Sequence, residues 1–442
     1  MREAHDFSRG RSHEVRLQER AAVEERVDFD FGAAYDRPFS ERLRAYLEVP
    51  YDSIADVVPK WKLTADVRPE AEHVGALPFL AHELAVVRCP GRAGGGVADL
   101  DDLSERAESF FHNDPQAVRR STRAGATRSS ASTTEPAIFR PPPSDSIEQA
   151  YVGDGLPVGA SKMTTDSYDR RLEFEPSTDP KIDVTVVCND EEMTDENVVS
   201  DIYGTRDWVE FDISFRELLT TAEMRDVLES DVDFLHYVGH VDAEGVRCTD
   251  GYLDTQDLSE VSVGAFLLNA CDSYEQGCGL VDAGAMAGIA TMTDVVNEAA
   301  TSVGRTAAKL LNQGFSLAAT VSIINEYEQI GHHYLVVGDA SASIVENQSG
   351  TPNLVSIENR GEDEYRTEIF GYPTLSSRMG AMFTPQIEGV DRFYLNAGRM
   401  GRHTLQKETL LEFVHTQEFP VEFDGALRWS SDLLELWNQG PV

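Results

Sequence analysis

The sequence predicts an α/β chain: a mainly parallel sheet with helices on both faces, preceded by a small α+β region and followed by a β-rich region. Three observations carry this expectation. Between residues 181 and 346, short β-branched runs alternate with stretches of helical spacing. The runs are short and rich in β-branched and other apolar residues, as in buried strands that feed loops. After Val345 the alternation gives way to period-two stretches punctuated by Gly371, Gly389, Gly398, Gly401 and Gly425.

The elements follow in order. Residues 1–28 are charged and carry too few apolar residues for a buried face. Trp61, Leu63, Ala65 and Val67 alternate with polar residues and predict a strand. Residues 71–88 have helical spacing, in which Pro78 must sit in the first turn or break the helix. Residues 91–150 read as a flexible linker: three glycines at 94–96, then Ser, Thr, Arg and Pro up to Pro141-Pro142-Pro143. Strands are expected at Ile182 to Cys188, Val209 to Ile213, Asp233 to Val238, Ala265 to Asn269, Ile289 to Met292 and Tyr334 to Val337. Helices are expected at Leu218 to Leu228 (Thr220 or Thr221 capping), Ala283 to Ala287, Ala300 to Leu311 and Leu317 to Tyr327. In the last region Tyr365 to Phe370, Arg392 to Leu395, Leu410 to Val414 and Val421 to Phe423 read as strands of a small antiparallel domain. The resulting division is 1–90, 91–150, 151–348 and 349–442.

Composition narrows the function. The 442 residues carry 77 Asp and Glu against 38 Lys and Arg, a formal charge of −39. Such a chain repels phosphate backbones and anionic lipid, so nucleic acid and membrane surfaces are not its expected partners. Only six of the basic residues are lysines. An acid-rich, lysine-poor composition resembles that of proteins from salt-accumulating halophiles. No apolar run reaches the roughly 18 residues needed to span a bilayer, and the N-terminus lacks the apolar core of a signal peptide. Five cysteines with irregular spacing do not form a disulfide framework. Together these give a cytoplasmic expectation with reduced thiols.

Two strand ends hold residues with chemistry. Phe234-Leu235-His236-Tyr237-Val238-Gly239-His240 is one, and Phe266-Leu267-Leu268-Asn269-Ala270-Cys271-Asp272-Ser273 is the other. Reactive groups of parallel sheets collect beyond the carboxyl ends of strands. A cysteine there needs a base to become a thiolate near neutral pH, and an imidazole can supply it. A metal pair of His236 and His240 finds no third ligand at useful spacing. His332 and His333 read as structural, and Cys248 and Cys278 as incidental. No glycine-rich phosphate loop follows the first core strand, where Cys188-Asn189-Asp190-Glu191-Glu192 is acidic. No Gly-x-Ser-x-Gly lies in the core.

These stretches resemble the caspase-like clan of cysteine peptidases, and most of all its CHAT domains. The likeness runs over residues 181–346, through Gly239-His240, Asn269-Ala270-Cys271-Asp272-Ser273, Ala290-Thr291-Met292-Thr293-Asp294-Val295, Leu310-Leu311-Asn312-Gln313-Gly314 and Gly338-Asp339. It implies a caspase-like sheet over 151–348 and a cysteine endopeptidase acting on peptide or protein, with a regulatory protein partner and no cofactor. By the resemblance Cys271 is the nucleophile and His240 the base, with backbone N–H groups of Cys271 and Val241 as oxyanion donors. Valine stands at 241 where the family has glycine. Asp272 either lines a substrate pocket or caps the following helix. The alternative function is a catalytically inactive scaffold of the same fold.

Overall fold

The computed structural model describes residues 61–90, 138–173, 181–190, 202–203 and 209–438, with short gaps at 71–72, 84, 145, 294–296, 362, 379–380, 391–393 and 397, and isolated positions at 37, 38, 41 and 44. The described residues fall into two compact units, one within Leu63–Glu346 and one within Asn347–Val442. The expected linker lies outside the described residues as far as residue 137, as does the charged N-terminal stretch.

The larger unit is built in chain order from β1 (Trp61–Val67), α1 (Leu77–His82), β2 (Val86–Arg88), β3 (Ser146–Val152), β4 (Ser161–Lys162), α2 (Thr165–Glu173), β5 (Lys181–Cys188), β6 (Glu210–Glu217), α3 (Thr221–Glu229) and β7 (Val232–Val238). A small antiparallel sheet of β8 (Val241–Asp242), β9 (Gly245–Cys248) and β10 (Gly251–Leu253) follows. Then come β11 (Val263–Asn269), α4 (Tyr274–Ala283), β12 (Ala287–Thr291), α5 (Asn297–Asn312), α6 (Leu317–Tyr327) and β13 (Tyr334–Gly338). One ten-stranded sheet runs in the order β2-β1-β3-β4-β13-β12-β11-β7-β5-β6. Its β6, β5, β7, β11 and β12 are mutually parallel, and β13 is antiparallel to β12. The mixed α/β class with a large, mainly parallel sheet is therefore the one expected.

Residue parity assigns the two faces. Leu235, Tyr237, Phe266, Leu268 and Ala290 share a core with Met224 and Leu228 of α3 and Leu280 and Val281 of α4. Met224 and Leu228 are fully buried at i, i+4 spacing, each worth roughly 1.5–3 kcal/mol. Thr220 caps α3 through a capping box with Glu223, whose carboxyl is held below its usual range by the Thr220 backbone N–H. On the opposite face α5 approaches closely. A Cβ at Gly304 would lie 2.7 Å from Asn269 Nδ2 and 3.6 Å from His236 Nε2.

Two elements differ from expectation here. The helical spacing of 71–88 yields only a 3-10 turn at Val74–Ala76 and the short α1, because Pro78 sits at its start and Val86–Arg88 pairs with β1. The small residues 283–287 do not form a helix. Gly284, at φ 147, ends α4, and Ala287 already pairs with β11.

The smaller unit has a five-stranded sheet, β14 (Asn353–Gly361), β15 (Glu364–Gly371), β16 (Gly398–Gln406), β17 (Pro420–Phe423) and β18 (Ala426–Trp429), in the order β16-β15-β14-β17-β18. It is not wholly antiparallel, since β14 and β17 run parallel. Two helices, α7 (Lys407–Val414) and α8 (Ser430–Asn438), contribute Leu410, Phe413, Val414 and Leu433 to its core. Leu410 to Val414 is thus helix, not strand. Of the strand expected at Arg392 to Leu395, residues 392–393 lie outside the described residues and Tyr394–Leu395 pairs with Met382–Phe383.

His236 is fully enclosed beneath the central strands, with its Nδ1 3.2 Å from Tyr203 Oη. Desolvation lowers its pKa from 6.5 to about 3. Between those values the unfolded chain binds a proton that the folded chain does not. Stability is therefore full above pH 6.5 and falls with decreasing pH, by about 2 kcal/mol at pH 5 at ~1.4 kcal/mol per pH unit. Urea titrations at pH 7 and pH 5 should show a smaller loss for His236→Gln than for wild type; equal losses would assign the acid sensitivity elsewhere.

Candidate active site

Three neighbouring strand ends converge. Cys188 of β5 pairs with Val238 of β7, and Val238 pairs with Asn269 of β11. Two residues beyond each lie Asp190, His240 and Cys271. Parallel strands sit about 4.8 Å apart, so the three residues leave the sheet side by side, with His240 between the other two. His240 Nε2 is 2.5 Å from Asp190 Oδ2; the imidazole is 39% exposed and the carboxylate 10%. With Nε2 held by the carboxylate, Nδ1 is the nitrogen available for proton exchange with a thiol. Cys271 is partly exposed and precedes the ten-residue α4.

The local sequence explains each placement. Asn189 locks the end of β5: its N–H donates to Val238 O (2.9 Å), its Oδ1 accepts from Leu219 N (2.8 Å) and its Nδ2 donates to Arg247 O (3.1 Å). That fixes the chain entering Asp190. Beyond β7, the Arg247 N–H donates to His240 O (2.9 Å), and Tyr237 Oη lies 3.0 Å from the carbonyls of both His240 and Arg247. Gly239 has no room for a side chain, since a Cβ there would lie 2.7 Å from Tyr237 Oη. The glycine requirement therefore falls before His240, where the aromatic ring folds back. Val241 opens β8 instead, in extended backbone that suits a β-branched residue. The Arg247-to-His240 bond makes Val241 and Val246 a non-hydrogen-bonded pair, so the Val241 N–H points away from β9.

Asp272 has a left-handed backbone (φ 45), a conformation aspartate tolerates, and its residue is exposed. It does not cap α4; Ser273 is the N-cap residue, and without a side-chain capping bond. His236 sits on the opposite sheet face from Tyr237 and does not join the site. His333 Nδ1 lies 2.7 Å from Thr293 Oγ1. Burial raises the thiols of Cys248 and Cys278 to about 11 and about 12, keeping both protonated. Among the described residues no three His, Cys, Asp or Glu side chains are placed to hold a metal ion, and no helix is long and apolar enough to cross a membrane.

Asp190 is the residue that sequence reasoning missed. Its signal was present as a polar pair ending a β-branched run, but only the strand register places it beside His240.

No protein-family model and no curated protein sequence matches the chain. Among solved structures, it is similar to the Arg-specific cysteine proteinase gingipain R (RgpB), with 10% identity and a TM-score of 0.44 over 78% of this chain and 91% of that one. The complex of Porphyromonas gingivalis RgpB pro- and mature domains matches at 10% identity and 0.39, over 78% and 93%. The Saccharomyces cerevisiae separase–securin complex matches at 11% identity and 0.30, over 39% of this chain and 13% of that one.

Proposed function

We propose that the chain is a caspase-like cysteine endopeptidase of the CHAT type, with Cys271, His240 and Asp190 as its catalytic residues. The observation that carries this reading is the register-matched exit of the three residues, with the 2.5 Å contact between His240 and Asp190. Cys271 gives its proton to His240 Nδ1 and attacks the scissile carbonyl as thiolate. Asp190 orients the imidazole and stabilises its charged form. The N–H groups of Cys271 and Val241 receive the developing oxyanion. His240 then protonates the leaving amine as the C–N bond breaks, and the acyl-enzyme is hydrolysed by a water from which His240 withdraws a proton, which it returns to the departing Cys271 sulfur. These steps use the chain's own groups.

The substrate is a peptide or protein, and Asp272 lines the pocket for a basic side chain. The smaller unit is an accessory module that binds a regulatory protein, and the whole acts in a salt-rich cytoplasm. Wild type and Cys271→Ala, incubated at high salt with a thiol-reactive peptide probe, test the core of this reading. Labelling should occur at position 271 in wild type and be absent from the variant. Equal labelling would replace the peptidase with a binding scaffold.

A further inference from the structure

The turn that carries Cys271 is held by two buried hydroxyls in a reciprocal arrangement. Thr291, at the end of β12, and Ser273 are both fully buried. Thr291 Oγ1 donates to Ala270 O and accepts from the Ser273 N–H (3.2 Å). Ser273 Oγ donates to Leu268 O (3.1 Å) and accepts from the Thr291 N–H (2.9 Å). The Asp272 N–H donates to Thr293 O (3.3 Å). Three successive peptide planes are thereby pinned, those joining 270 to 271, 271 to 272 and 272 to 273.

The first of these planes matters most. The carbonyl of Ala270 and the N–H of Cys271 belong to one peptide group, and in a planar trans peptide they point in opposite directions. A hydroxyl fixed on the carbonyl therefore sets the direction of the N–H. It also polarises the peptide group, strengthening the N–H as a donor.

We propose that Thr291 is a positioning residue: through the Ala270 carbonyl, its hydroxyl aims the Cys271 N–H at the oxyanion. The inference rests on the peptidase reading of Cys271 and adds a residue that touches neither substrate nor thiol. It separates two reactions of the same sulfur. Attack on an amide builds an oxyanion and needs the aimed N–H. Alkylation by iodoacetamide displaces iodide from carbon, builds no oxyanion and does not need it.

The test compares wild type, Thr291→Val and Thr291→Ser. Three quantities are followed: hydrolysis of fluorescently labelled casein, iodoacetamide alkylation at Cys271 read by mass spectrometry, and amide hydrogen exchange over 270–273. Valine keeps the shape and deletes the hydroxyl. Its kcat should fall about 10- to 100-fold with KM little changed, while alkylation stays within about 3-fold of wild type. Exchange should quicken, and serine should restore hydrolysis. If the valine variant does not fold, Thr291→Cys, a much weaker donor, carries the same expectation. A parallel fall of hydrolysis and alkylation would overturn the proposal, because Thr291 would then merely hold the thiol in place. Unchanged hydrolysis would also overturn it. A wild type that is alkylated at Cys271 yet inert towards casein would remove the peptidase reading and this role together; faster exchange in the valine variant would then mark the hydroxyl pair as purely structural.

Discussion

Replacing His240 by glutamine should lower kcat for peptide hydrolysis by about 10²- to 10⁴-fold, the range that a positioned acid–base group contributes. Asp190→Asn should lower it by at least about 10²-fold, since the amide keeps the shape of the side chain but removes the charge beside the imidazole. The double variant should be no more than about 3-fold slower than His240→Gln alone, because Asp190 acts only through the ring it holds. Initial rates with a casein substrate at high salt, with unfolding midpoints for each variant, check all three. Multiplying losses would mean that Asp190 acts on substrate or on another group. An active His240→Gln would remove the histidine from the chemistry altogether. The midpoints should move little, because the imidazole is 39% exposed and its carboxylate partner sits at the rim of the sheet.

The expectation for His240 and Cys271 came from the sequence, and the reason is local. Each follows a mostly apolar run, with only His236 or Asn269 interrupting it, and such runs end at the carboxyl edge of a parallel sheet. The helices α3, α5 and α6 were legible for a similar reason, although α4 was not: α6 has the bounds expected, Leu317–Tyr327, because Ser316 caps it and its apolar spacing is regular. Asp190 was not legible. Its place beside His240 depends on the pairing of Cys188 with Val238, and no local pattern fixes the register between strands 50 residues apart. The run Leu410 to Val414 misled because a short apolar stretch satisfies both periods. Leu410, Phe413 and Val414 are the buried positions, at helical spacing, so tertiary packing decided. The hydroxyl pair of Ser273 and Thr291 joins the start of α4 to the end of β12, 18 residues apart, and serine and threonine are too common for their spacing to announce it.

Raising KCl from 0.1 M to 2 M should lift the unfolding midpoint of the full chain by roughly 10 °C, a gain of several kcal/mol at roughly 2–4 °C per kcal/mol. Even if every basic residue paired with one acid, the −39 balance would remain uncompensated. At about 0.1 M salt the screening length is roughly 10 Å, so neighbouring carboxylates on one face repel; at about 1 M it is roughly 3 Å and the repulsion is largely gone. The unfolded chain spaces the same charges further apart and gains less from salt. The proposed catalytic pair responds differently. The His240–Asp190 pair is in direct contact at 2.5 Å with a carboxylate only 10% exposed, so no salt ion fits between the partners and screening weakens it little. The kcat of protein that is folded in both buffers should therefore change by less than about 3-fold. An uncharged osmolyte serves as the control, since it stabilises compact states by exclusion without screening charge. A midpoint that rises equally with sucrose, or stays flat in KCl, would sink the charge-repulsion account. A kcat that tracks salt in fully folded protein would place the acidic coat in the substrate's path, where it would act on encounter as well as on folding.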